Sequence, residues 1–145
     1  MCRCFISSVT EEHYDACTPI VDSFWSFTMD DETPFFLDIG ADGFIDPGDS
    51  FIFESAPLAV SIDTTLVDVG FFSGTCTATP ELTPEREYCS FSFDFGDLGT
   101  VAVQGPLEAM VIVGTTGCFA YYSGEVVGYI DGDSYVFYVD TWARR

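Results

Sequence analysis

Beyond Pro34 the chain is a succession of short runs in which apolar and polar positions alternate, each closed by a turn signal. The clearest is Tyr88 to Phe95, where Phe91, Phe93 and Phe95 alternate with Ser90, Ser92 and Asp94, the period of a strand with one face buried. Gly96-Asp97-Leu98-Gly99 then turns the chain. Val101 and Val103 face one way and Ala102 and Gln104 the other, so the local unit is a hairpin. Comparable runs predict strands near 34–39, 50–54, 58–62, 65–77, 86–95, 100–104, 109–113, 118–121, 125–130 and 134–141. Turns at Gly40 to Gly43, Pro47-Gly48, Gly114 to Gly117 and Asp131-Gly132-Asp133 separate them at the spacing of a barrel or sandwich. No segment sustains a helical period, and the expected fold class is all-β.

With 145 residues, 48% of them hydrophobic and 17% aromatic, the chain can bury one core and is too short for two ordinary domains. Residues 1–30 are rich in Cys, Asp, Glu and Ser and read as an N-terminal Cys-containing arm, leaving 31–145 as the β-domain. Phe24, Trp25 and Phe27 form an apolar patch in that arm. They serve either as anchors for assembly or as cover for their own domain. No run approaches the roughly 18 consecutive apolar residues of a membrane span.

Charge narrows the function. Twenty-four acidic residues against four Arg and one His give a formal charge of −20, which excludes a nucleic-acid binder that depends on Lys and Arg to displace counterions. Such acidity fits a solvated surface, bound cations or a shielding neighbour. The chain has no Asn and so no N-glycosylation site, whereas Thr75, Thr77, Thr79 and Thr83 form an exposed-loop cluster open to O-linked glycan. Gly114-Thr115-Thr116-Gly117 lacks the Lys-Ser/Thr of a phosphate loop and leads into aromatic residues rather than a helix.

Six cysteines, Cys2, Cys4, Cys17, Cys76, Cys89 and Cys118, include no Cys-x-x-Cys pair, which argues against zinc and for a disulfide framework in an oxidising, extracellular compartment. Cys76 and Cys89 bracket a Pro-rich loop between two strand patterns and are placed to pair across a hairpin. Six cysteines allow fifteen pairings, in which Cys118 is one candidate partner for the N-terminal group. Buried, reduced core thiols are the competing reading.

Several segments together resemble the plant allene oxide cyclases, which share an eight-stranded β-barrel with the dirigent proteins. They are Gly48-Asp49-Ser50-Phe51 with Pro57-Leu58, Val69-Gly70 with Gly74-Thr75-Cys76, Phe93 to Pro106, Val113 to Phe119, and Ser123-Gly124-Glu125-Val126. The matching order covers roughly residues 48 to 130. The resemblance implies an eight-stranded antiparallel β-barrel, to which residues 1–30 add an N-terminal extension, and trimerisation. It also implies an apolar pocket in which a Glu and an Asn-held water close a ring on a fatty-acid epoxide. Cys76 matches a pocket position, but no Asn is present, and Asp38 stands in the strand expected to carry the Glu. Arg86 lies in a charged loop and His13 has no triad partners, so neither supplies a catalytic group.

One further motif has its own chemistry. Asp38 to Asp49 follows the spacing of a twelve-residue calcium loop, with Asp38, Asp42, Asp46 and Asp49 at positions one, five, nine and twelve, Gly43 at six and Phe44 at seven, where a backbone carbonyl serves. Gly40 in place of the third ligand and Asp49 in place of the bidentate Glu depart from that pattern. The alternative is an acidic, Gly-rich turn with no ion. The expected function is a non-catalytic, secreted barrel that self-assembles into a homo-oligomer or filament through its arm and strand edges, with Ca2+ as the one candidate cofactor. The competing expectation is a barrel isomerase or cyclase, or a carrier of a small apolar ligand.

Overall fold

A computed structural model of the chain describes residues 24–28, 35–41, 43–44, 46–62, 64–79, 87–120, 122–132 and 134–144. Nine strands form one antiparallel sheet: β1 (Trp25–Thr28), β2 (Phe35–Leu37), β3 (Ser50–Ile62), β4 (Thr65–Ala78), β5 (Glu87–Asp94), β6 (Thr100–Pro106), β7 (Met110–Thr115), β8 (Tyr122–Asp131) and β9 (Ser134–Arg144). Strands β3 to β9 pair in sequence order. The ring closes because β1 pairs with β9 on one side, through Trp25↔Phe137, and with β3 on the other, through Trp25↔Val60. The result is a closed eight-stranded antiparallel barrel with β2 as an extra strand outside it.

The aromatic alternation read from the sequence fills this barrel. In β5 every second residue points inward, Glu87, Cys89, Phe91 and Phe93, while Tyr88, Ser90, Ser92 and Asp94 face water. Phe72 lies at the centre, with ring centroids 4.7 Å from Phe91, 5.3 Å from Phe137, and 5.4 Å from both Phe53 and Phe93. Trp25 packs edge-on against Phe93 and Phe95. Rings meeting edge-to-face and offset at these distances add to the stabilisation from burial itself.

Three local expectations are revised. Runs 50–54 and 58–62 are one strand, because a bulge at Glu54-Ser55, with Ser55 at φ 45°, carries the chain past Pro57. Pro57 is tolerated because β3 has β4 alone beside it between the β2 pairings, which end at Ile52, and the β1 pairings, which begin at Ala59. The run 118–121 is not a strand, since Gly117–Phe119 forms a 3-10 turn. That turn lies back to back with the one at Gly96–Leu98: a Cβ on Gly99 would sit 2.2 Å from the Thr116 carbonyl oxygen, and one on Gly117 2.2 Å from that of Leu98. Only glycine allows this approach. Finally, residues 25–28, expected within the arm, are the strand that closes the barrel; residues 1–23 lie outside the described residues.

Candidate functional site

Three regions bear on function: the acidic loop before β3, the interior end of the barrel at Glu87, and the strand edges. In the loop, Asp49 is 1% exposed, and its carboxylate accepts N–H bonds from Ile39 (2.9 Å) and Asp46 (2.7 Å). Asp38 accepts from Ala41 (2.8 Å) and Gly43 (2.7 Å). The Gly48 N–H donates to the Ala78 carbonyl at 2.8 Å and the Ala78 N–H to that of Asp49 at 2.9 Å, tying the loop to the end of β4. The two carboxylates at the ends of the twelve-residue spacing thus cap the loop's own backbone, as Asx turns do. Asp42 lies outside the described residues. Among the described residues Asp38, Asp46 and Asp49 do not bring three donor atoms within 4.8 Å of one another.

The single group among the described residues that does so is Cys76, Glu87 and Cys89. Cys76 and Cys89 are direct cross-strand neighbours, Cα atoms 4.1 Å apart, and form the expected disulfide, S–S 2.10 Å. Glu87 is two residues before Cys89 on the same inward face and is only 8% exposed. Burial pushes its carboxyl up to about 6 from the ordinary 4.5. Tyr135, inward on β9, has its phenol pushed well above the usual range, first by burial and then by the Glu87 charge. A carboxylate and a phenol therefore face each other beside a disulfide, inside an otherwise aromatic core. Sequence reading overlooked Glu87, although it stands in phase with Phe91 and Phe93 and so belongs to the buried set.

Cys118 is also disulfide-bonded and buried beside Phe119. Cys2, Cys4 and Cys17 lie outside the described residues. Of the three proposed anchors, Trp25 is fully buried in its own barrel, Phe24 is exposed with its ring edge-on to Tyr138 at 5.5 Å, and Phe27 sits on β1 opposite Tyr135. Trp25 is thus a core residue rather than an exposed anchor, because alternation along β1 turns it inward. Thr75 and Thr77 belong to β4 rather than to a loop. Thr77 shares a hydrogen bond with the Ser50 hydroxyl at 3.1 Å, and Thr83 lies outside the described residues.

Two strand edges stay open among the described residues. β2 pairs with β3 alone, leaving its far edge without a ladder partner, and Leu37 is 46% exposed there. β7 pairs along its length with β6 but meets β8 only at Met110↔Val126 and Val111↔Glu125. Bulges flank this seam: Val113 is the extra residue against Ala102 and Val103, and Asp140 against Glu125 and Val126. Each bends its strand, and among the described residues the β7–β8 ladder runs no further than Val111. Val113, 58% exposed, stands on the freed edge.

The chain matches no known family model and no curated protein. No helix among the described residues is long and apolar enough to cross a membrane.

Proposed function

We propose that this protein is a non-catalytic, secreted β-barrel that works by self-association through its open strand edges. The observation that carries this reading is the contrast between a closed interior filled with packed rings and two edges, at β2 and β7, that have little or no ladder pairing among the described residues and lie beside exposed Leu37 and Val113. An unpaired strand edge is a template for another chain, and small barrels ordinarily remove or cover it. The N-terminal cysteine-bearing segment is the second element of the proposal, able to lock an assembly once formed. The Cys76–Cys89 disulfide supports an oxidising compartment.

Kinship with the allene oxide cyclase and dirigent barrels belongs to the same proposal, with the barrel retained and the ring-closing chemistry lost. The absence of Asn removes the group that would hold the reacting water. A carrier of a small apolar ligand is the competing reading, and the contacts of Phe53, Phe72, Phe91, Phe93 and Phe137 across the interior weigh against it. With a formal charge of −20, copies repel one another unless cations intervene, and Ca2+ over the acidic surface would lower that barrier. Electron microscopy of the purified protein with and without Ca2+ tests the reading. Uniform large assemblies or fibres are expected, more abundant with Ca2+, whereas monodisperse single barrels in both conditions would sink it.

A further inference from the structure

We infer that reduction of Cys76–Cys89 converts this end of the barrel into a binding site for a thiophilic divalent cation such as Zn2+, held by the two cysteine sulfurs and the Glu87 carboxylate. The donor set is assembled by pairing, not by sequence spacing. Cys76 and Cys89 are opposite residues of β4 and β5, Glu87 lies one inward step further along β5, and all three donor atoms fall within 4.8 Å of one another.

The second observation is the carboxylate itself. Glu87 is more than nine-tenths buried, with the Tyr135 phenol facing it, and burial is what raises its carboxyl. Burying a carboxylate is costly, and such groups are ordinarily paired or bound to metal. In the disulfide form the sulfurs carry no negative charge and offer little to a cation, so the site is closed. A dithiol that donates two electrons and two protons opens the S–S bond to two thiols and closes to its own disulfide. A divalent cation then displaces both thiol protons, leaving a neutral bis-thiolate centre that Glu87 completes with its negative charge. Two sulfurs and one oxygen match the ligand preferences of Zn2+ and leave one position of a tetrahedral ion open.

Co2+ serves as the spectroscopic probe. Wild type and Glu87→Gln are each prepared oxidised and after reduction with a dithiol removed by desalting, then titrated with Co2+ under anaerobic conditions. The two proteins should behave alike when oxidised. When reduced, wild type should gain a thiolate-to-cobalt absorption band that saturates at one equivalent above any contribution of the Cys118 and N-terminal thiols, and Glu87→Gln should bind at least about tenfold more weakly. Equal affinities in the reduced proteins would overturn the inference. So would a reduced wild type that loses its near-ultraviolet circular dichroism and binds no Co2+ at this site. Cadmium NMR of the reduced protein gives an independent reading, with the shift of a two-sulfur, one-oxygen site expected and that of an all-sulfur site contradicting it.

Discussion

Replacing Glu87 by Gln isolates the cost of the buried carboxyl, because the amide keeps its shape and cannot ionise. Burial raises the acid from 4.5 to about 6, a difference of about 1.5, which at about 1.4 kcal/mol per tenfold change in dissociation corresponds to about 2 kcal/mol. The folded protein binds this proton more tightly than the unfolded chain. Its contribution to stability is therefore fully present below pH 4.5 and lost as pH rises through about 6. The variant lacks this dependence. Subtracting its unfolding free energy from that of wild type, measured in urea from about pH 4 to about pH 8, should give a difference that falls by about 2 kcal/mol across that window. The surface charges are common to both proteins and cancel. Intrinsic fluorescence is a suitable signal, since Trp25 is fully buried. Parallel pH profiles would refute the assignment of an uncompensated carboxyl at this position, as would a difference that grows in favour of wild type at high pH.

Two substitutions test the packing. Phe72→Ala removes the ring that touches Phe53, Phe91, Phe93 and Phe137, and should cost about 4 kcal/mol in urea unfolding; a loss under about 1 kcal/mol would mean the core is not packed around it. Gly70→Ala would place a Cβ 1.7 Å from the Asp94 carbonyl oxygen across the β4–β5 ladder, so the backbone must move. A loss of about 3 kcal/mol is expected by the same assay, and a neutral result would contradict this strand approach.

The sequence revealed most where burial repeats locally. The alternation of Phe91, Phe93 and Phe95 against Ser90, Ser92 and Asp94 carries β5, and through it the inward face of the barrel. The cross-strand neighbours Cys76 and Cys89 were legible because a hairpin brings its two ends together by local geometry. Long-range decisions were not legible. Trp25 closes the ring by pairing with Val60 and Phe137, partners 35 and 112 residues away (60 − 25 and 137 − 25), and nothing in four residues of β1 announces either. Pro57 lies between the runs 50–54 and 58–62, but its missing N–H matters only where a neighbour needs it, and the ladder alone shows that none does. The run 118–121 carries Phe119 inward as a strand would, but the apposition of Gly99 and Gly117 makes it a turn. In the acidic loop, the carboxylate spacing was visible, whereas the backbone N–H groups that Asp38 and Asp49 hold were not. Glu87 follows the same period-two alternation as Phe91 and Phe93, but it also adjoins the charged run Glu85-Arg86, where a Glu reads as solvated.

Edges left open among the described residues, at β2 and β7, are proposed to bring copies together. Sedimentation velocity over a range of concentrations, comparing wild type with Leu37→Glu and with the pair Val111→Glu, Val113→Glu, tests it most directly. All three side chains are exposed, so the substitutions leave the core intact while placing charge on the edges. Wild type should form larger species as concentration rises, and both variants should stay as single barrels with unchanged circular dichroism. A wild type that sediments as one barrel at every concentration would contradict the account, and so would variants that assemble as wild type does.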